Sequence, residues 1–323
     1  MNGWALAALT ASLLIYSKQC MEAALQAATV FVTGVMPALF PMMVLCRLQS
    51  PGEKTEHSNA QLWAGTALFA FASGSPASAQ RVRSLWEARR TREPLALSAL
   101  TGVMSPLFFV GTLAAWTGEQ TGAWIMLGCH WAGAALTALV FRGRVQSAAP
   151  PHAPLPAQRP ALARAVSEAA AALLAVLGAM MLFSIASALL EALLSSLAPG
   201  WAQKNARVLA LAWAIMEIGG GASAVIRAWP APPLALLCAL CSFGGLSLWT
   251  QNLLYLSPCV RPARLLGVRA VHAALSGALC AAALSVYPQA QAAFAPAAAA
   301  ACSPFGLWPL GLVMLAASFR RSS

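Results

Sequence analysis

The chain has no aspartate. Its nine acidic residues are all glutamate, lysine occurs three times, and only 9% of the 323 residues are charged. A soluble domain carries about 25% charged residues. This shortage excludes an ordinary soluble enzyme, a disordered chain and a nucleic-acid module. No HExxH, no nucleophile elbow and no GxxxxGK[ST] occurs, and no two carboxylates share the core of an apolar segment. Metalloprotease, hydrolase and direct ATP chemistry therefore lack their residues, and the chain reads as a non-enzyme with no cofactor. Cys238 and Cys241 form a CxxC inside an apolar run with no second pair, so no metal site is expected. The N-terminus lacks the basic stretch of a signal peptide and reads as a first membrane segment.

What is abundant is apolar. Hydrophobic residues make up 59% of the chain, and the mean hydropathy is +0.69. The net charge of +11 falls in short clusters between apolar runs, as in the cytoplasmic loops of membrane proteins. Apolar runs cover about 2–17, 20–46, 62–80, 94–116, 119–141, 166–197, 205–226, 231–257, 270–287 and 304–319. Four of them are broken: by GSPAS at 74–78, MSPLF at 104–108, EIGGGAS at 217–223 and FGGLS at 243–247. Non-helical backbone at membrane depth is tolerated only where it is buried in protein or lines a cavity.

The two halves resemble each other. PLALSALT begins at Pro94 and PLALLCAL at Pro233; GSPASAQR begins at Gly74 and GGGASAVIR at Gly219; Gly34 matches Gly178. If all ten runs cross, the 20 basic residues show no side preference. If 62–80 and 205–226 are re-entrant hairpins and the N-terminus is inside, 16 basic residues lie inside, and only Lys18, Lys204, Arg207 and Arg227 lie outside. The positive-inside rule favours the second arrangement. The fold expected is thus an all-α polytopic membrane protein of about eight transmembrane helices plus two re-entrant hairpins, with an inverted internal repeat. Its parts are an N-terminal membrane helix (1–19), a first membrane repeat (20–141), a cytoplasmic Pro/Arg linker (142–164), a second repeat (165–287), and a low-complexity loop with a C-terminal membrane helix (288–323).

The candidate site lies at the breaks. Half-helix N-termini offer free N–H groups and partial positive charge to an anion, and Gly74 and Gly220 would supply two. Ser75, Ser78 and Ser223 would add hydroxyls, as would Ser105 and Ser247 at the second pair of breaks. Gln251 and Asn252 either line the pathway or bond between helices. Glu217, deep in an apolar run, is a candidate coupling group for protons or cations; the alternative is a structural partner for Arg207 or Arg227, or for helix-end N–H groups. His130 is a candidate proton relay, or a side chain satisfied by a neighbouring helix. Trp131, Trp213 and Trp249 could stack on an aromatic substrate or fill helix interfaces. RVRSLWEARRTRE (81–93) reads as an amphipathic surface helix, with Val82, Leu85 and Trp86 on its apolar face.

GVMPALFP (34–41), GSPASAQ (74–80), SPLFFVGT (105–112), CHW (129–131), MEIGGG (216–221) and GGLSLWTQ (244–251) together resemble the sporulation integral membrane protein family YlbJ/SpoVV, related to the nucleoside-recognition Gate domain. The resemblance spans about Gly34 to Arg269. GSPASA departs from the GxPSGA-like hairpin motif of that family, and the GGG tip lacks a polar residue expected there. The resemblance implies transport of dipicolinic acid across the mother-cell-derived outer forespore membrane during sporulation. The expected function is a secondary-type transporter or facilitator for a small organic anion. A nucleoside-like solute carrier and a non-transporting structural protein of the sporulation membrane are the alternatives. Expected partners are the anionic small molecule and the lipid bilayer, with room for a homo-oligomer; nucleic acid is not one.

Overall fold

A computed structural model describes residues 3–48, 59–89, 91–143, 162–198, 200–229, 231, 233–288 and 290. Among them every regular element is a helix. The first part of the chain forms α1 (Gly3–Ile15), α2 (Ser17–Val30), a π-helical turn (Phe31–Val35) and α3 (Met36–Leu48). Then come α4 (Asn59–Ser73), α5 (Ala77–Glu87), α6 (Pro94–Leu100), a second π-helical turn (Phe108–Leu113), α7 (Ala114–Thr117) and α8 (Gln120–Val140). After the linker follow α9 (Leu162–Leu197), α10 (Trp201–Lys204), α11 (Ala206–Met216), α12 (Ile218–Ala228), α13 (Leu234–Phe243), α14 (Gly245–Leu256) and α15 (Pro262–Val286).

Local residues set the boundaries. Pro94 starts α6 and Pro262 starts α15, where the missing N–H is an orphan in any case. Gly118, at φ +70°, ends α7, and Gly244, at φ +78°, ends α13, the left-handed stop that glycine adopts without strain. Glu119 caps α8, its Oε1 accepting from the N–H groups of Thr121 at 2.8 Å and Gly122 at 3.2 Å.

Among the described residues four helices are long and apolar enough to cross a membrane: Gln120–Val140, Leu162–Leu197, Leu234–Leu256 (α13 with α14) and Pro262–Val286. The bent pair Ser17–Val35 and Leu39–Leu45, at 60°, makes a fifth. Eight crossings were expected. The shortfall has physical causes. α1 has 13 residues, about 20 Å at 1.5 Å per residue, short of the ~30 Å hydrocarbon core. Run 94–116 is split by the unwound stretch between α6 and the second π-helical turn, and run 304–319 lies outside the described residues, as does most of the low-complexity stretch 289–302. Most of the linker, 144–161, lies outside the described residues, and α9 begins at Leu162.

The order of elements recurs across the halves: a long or bent helix, a pair of short helices, a broken helix, then a long helix. α2 and α3 pack on α9, and α8 packs on α15. α9 runs antiparallel to α2–α3. Tyr16 Oη, before α2, donates to Ser196 Oγ near the end of α9 at 2.8 Å, and Arg47, near the end of α3, pairs with Glu168 near the start of α9 at 2.6 Å. Outward-facing Leu174 and Leu182 on α9 are 67% and 62% exposed. A helix apolar on its outer side is a helix for lipid rather than water.

Candidate functional site

The first hairpin is α4 and α5, closed by Gly74, Ser75 and Pro76. Gly74 sits at φ +69°, and a Cβ there would stand 2.7 Å from the backbone nitrogen of Ser105. Ser75 N–H donates to Val103 C=O at 2.8 Å. The hairpin tip is thus seated on the unwound stretch after α6. Ser75 Oγ donates to Asn252 Oδ1 of α14 at 2.5 Å, while Ser78 Oγ turns back to Gly74 C=O at 2.9 Å. Val82, Leu85 and Trp86 are all buried in protein. The stretch predicted as a surface helix is instead, to Glu87, the second limb of the hairpin; its apolar face packs inward because α5 touches α3, α6 and α14.

The second hairpin is α11 and α12, turned by Glu217 in extended conformation. Its carboxylate accepts from Gly219 N–H at 2.8 Å and Gly220 N–H at 2.7 Å. The helix N-terminus expected to face an anion is therefore held by the chain's own carboxylate. Arg207 and Arg227 are not its partners: Arg207 lies over the Trp229 ring at 5.4 Å, and Arg227 donates to Ser223 Oγ at 2.5 Å on the exposed side. Gly221 is required by closeness, since a Cβ there would overlap the Ala214 backbone of α11. Beside the turn lies a shallow cleft lined by Gln26, Ser184, Trp213, Glu217 and Gly220.

α14 joins the two hairpins. It packs on α5 on one side and on α11 and α12 on the other. Gly245, at φ +73°, leaves room for the carbonyls of Ala214, Ile215 and Met216 at the second turn. Ser247, Gln251 and Asn252 are all buried, and Gln251 Nε2 donates to Ser247 Oγ at 3.2 Å. Asn252 Nδ2 has no hydrogen-bond partner among the described residues. Of the sequence-predicted residues, Gly74, Ser75, Ser105 and Asn252 come together around the first tip; Glu217 and Gly220 form the second, with Ser247 and Gln251 on the helix between. Ser223 stands apart.

His130 is fully buried with both ring nitrogens engaged. Met104 N–H donates to Nε2 at 2.9 Å, so the proton of the neutral ring sits on Nδ1, which donates to Ser242 Oγ at 2.7 Å. The ring ties the first break to the end of α13. Trp131 stacks on Phe71 at 5.3 Å, and Trp249 Nε1 donates to Pro262 C=O at 3.3 Å; both fill helix interfaces. Trp213 lines the cleft.

The sequence reading missed Arg269. It assigned Arg269 to a cytoplasmic loop, but the residue lies inside α15 at 0% exposure and is the largest fully buried side chain. The signal was its spacing: Arg269, His272 and Ser276 share one helical face. Cys238 lies in α13 with Sγ 3.5 Å from Met126 C=O, and no group of metal-binding side chains occurs among the described residues. Compared with family models, with curated proteins and with solved structures, the chain matches none.

Proposed function

We propose that this is a multi-pass membrane carrier of secondary type for a small organic anion, built as an inverted repeat with two re-entrant hairpins. One observation carries the reading. The tip of the first-half hairpin is bonded to the broken helix of the second half, Ser75 to Asn252, inside a chain of apolar spans. Buried polar groups at helix breaks are costly in lipid and are retained where a solute passes. The antiparallel pairing of α2–α3 with α9 supports inversion about an axis in the membrane plane. So do the lengths of α5, α11 and α12, 11 residues each, about 16 Å and too short to cross. By its resemblance the solute is dipicolinate and the membrane is the outer forespore membrane. The chain itself supplies no catalytic step in this reading.

The test is uptake of labelled dipicolinate by liposomes holding the purified chain, with Asn252→Ala beside it. Saturable uptake that falls in the variant supports the carrier. Folded protein that admits no more than empty liposomes overturns it for this solute.

A further inference from the structure

Arg269, His272 and Ser276 are each 0% exposed and stand on one face of α15. Opposite them the first half presents two glycines. A Cβ on Gly102 would overlap the Arg269 guanidinium and lie 3.2 Å from His272 Nδ1; one on Gly133 would overlap Ser276 Oγ. Here the first half forgoes side chains so that three polar ones can enter.

The described residues do not satisfy those three. Nε, Nη1 and Nη2 of Arg269, Nδ1 of His272 and Oγ of Ser276 have no hydrogen-bond partner among the described residues. His272 spends its other nitrogen on His130 C=O, at 3.0 Å. A carbonyl only accepts, so Nε2 carries the proton, and Nδ1 of the neutral ring is left as an acceptor. A lone buried charge is strongly destabilising, and an apolar side chain of similar volume would pack here without that cost. No described residue counters this arginine, so its counter-charge comes from beyond the described residues.

We propose that Arg269 is the fixed counter-charge of a binding site for a small carboxylate, enclosed between α15 and the unwound segment 101–105. A guanidinium presents a planar fork that matches two carboxylate oxygens. Ser276 lies about 10 Å further along the helix, within reach of a second polar group on the same small molecule, and His272 between them accepts from an O–H or N–H. The guanidinium is sealed, so the ligand is admitted only when segment 101–105, packed on it at Gly102, moves aside. This inference rests on the carrier reading for its source of ligand, but binding can be read without transport.

The measurement is thermal unfolding of the purified full chain in detergent, titrated with benzoate, benzamide, inorganic phosphate or chloride. Benzoate should raise the midpoint saturably, and benzamide, equally flat but uncharged, should not. Arg269→Met should remain folded, with an unliganded midpoint no lower than that of the parent, and should lose the benzoate response. Arg269→Lys keeps the charge without the fork and should weaken benzoate by about tenfold. A benzoate response unchanged in Arg269→Met overturns the site, as does an equal response to benzamide. Equal saturation by chloride or phosphate overturns the carboxylate assignment. If Arg269→Met fails to fold, unaltered benzoate affinity in Arg269→Lys overturns the proposal in its place. Liposome uptake separates this from the carrier reading. Undiminished uptake by Arg269→Met overturns the site alone. Arg269-dependent binding without any uptake supports the site and overturns the carrier.

Discussion

His130 and His272 lie 142 residues apart in the chain, yet their rings stand 4.9 Å apart at the contact of α8 with α15. The same spacing separates Gly102 from Gly244 and Ser105 from Ser247. The two imidazoles, one from each half of the chain, meet with their planes tilted by 32°. They are not equivalent in bonding. His130 is saturated by Met104 and Ser242, whereas Nδ1 of His272 has no hydrogen-bond partner among the described residues.

His130→Ala should be among the most destabilising single changes. It strips partners from the Met104 N–H and the Ser242 hydroxyl. Each unsatisfied buried group costs about 1–3 kcal/mol, so a loss of about 2–6 kcal/mol is expected. Chemical unfolding in detergent measures it, and a near-neutral result would mean that water or a neighbouring group replaces the ring.

Two glycines predict opposite outcomes. Gly221→Ala drives a methyl into the Ala214 backbone, whereas Gly128 has nothing within 4 Å of where its Cβ would be. Gly221→Ala should cost upwards of about 2 kcal/mol, and Gly128→Ala should be neutral or slightly stabilising. Comparing their unfolding midpoints tests whether α11 and α12 are pressed together as described.

Ser75→Ala and Asn252→Ala should not be additive. Each alone removes the bond between the hairpin tip and α14, so the double variant should lose little more than either single one. A double-mutant cycle on stability and on uptake reads the coupling, expected at about 0.5–3 kcal/mol. Strict additivity would show that the two side chains act apart.

Glu217→Gln keeps the shape of the turn but gives up one acceptor toward Gly219 or Gly220. A cost of about 1 kcal/mol is expected, as for other helix caps. If the carboxylate also couples transport to protons, accumulation driven by an imposed pH gradient should vanish while downhill exchange persists. Unchanged gradient-driven accumulation would leave Glu217 as a cap alone.

Cysteine accessibility tests the hairpin topology. In an otherwise cysteine-free chain, Asn59→Cys and Glu87→Cys should both label from one face of oriented vesicles, and Lys204→Cys from the other. Labelling of Asn59→Cys and Glu87→Cys from opposite faces would make α4 and α5 a crossing instead of a hairpin.

The class of protein was legible in the sequence because it depends on composition and local backbone chemistry. Long apolar runs with almost no acid form helices in lipid wherever they sit, and Gly74, Pro94, Gly118 and Gly244 end or begin helices through their own dihedral preferences. The repeat of break motifs was legible for the same reason. What lies across each break was not. Of the alternatives open to Glu217, packing selects the helix-end amides two and three residues after it and not Arg207 or Arg227, and Val82, Leu85 and Trp86 face protein instead of a membrane surface. Arg269 looked like one more loop cation because charge alone predicts exposure. Only the packing of α15 against Gly102 and Gly133 buried it, since burial is a property of neighbours that sequence spacing does not name.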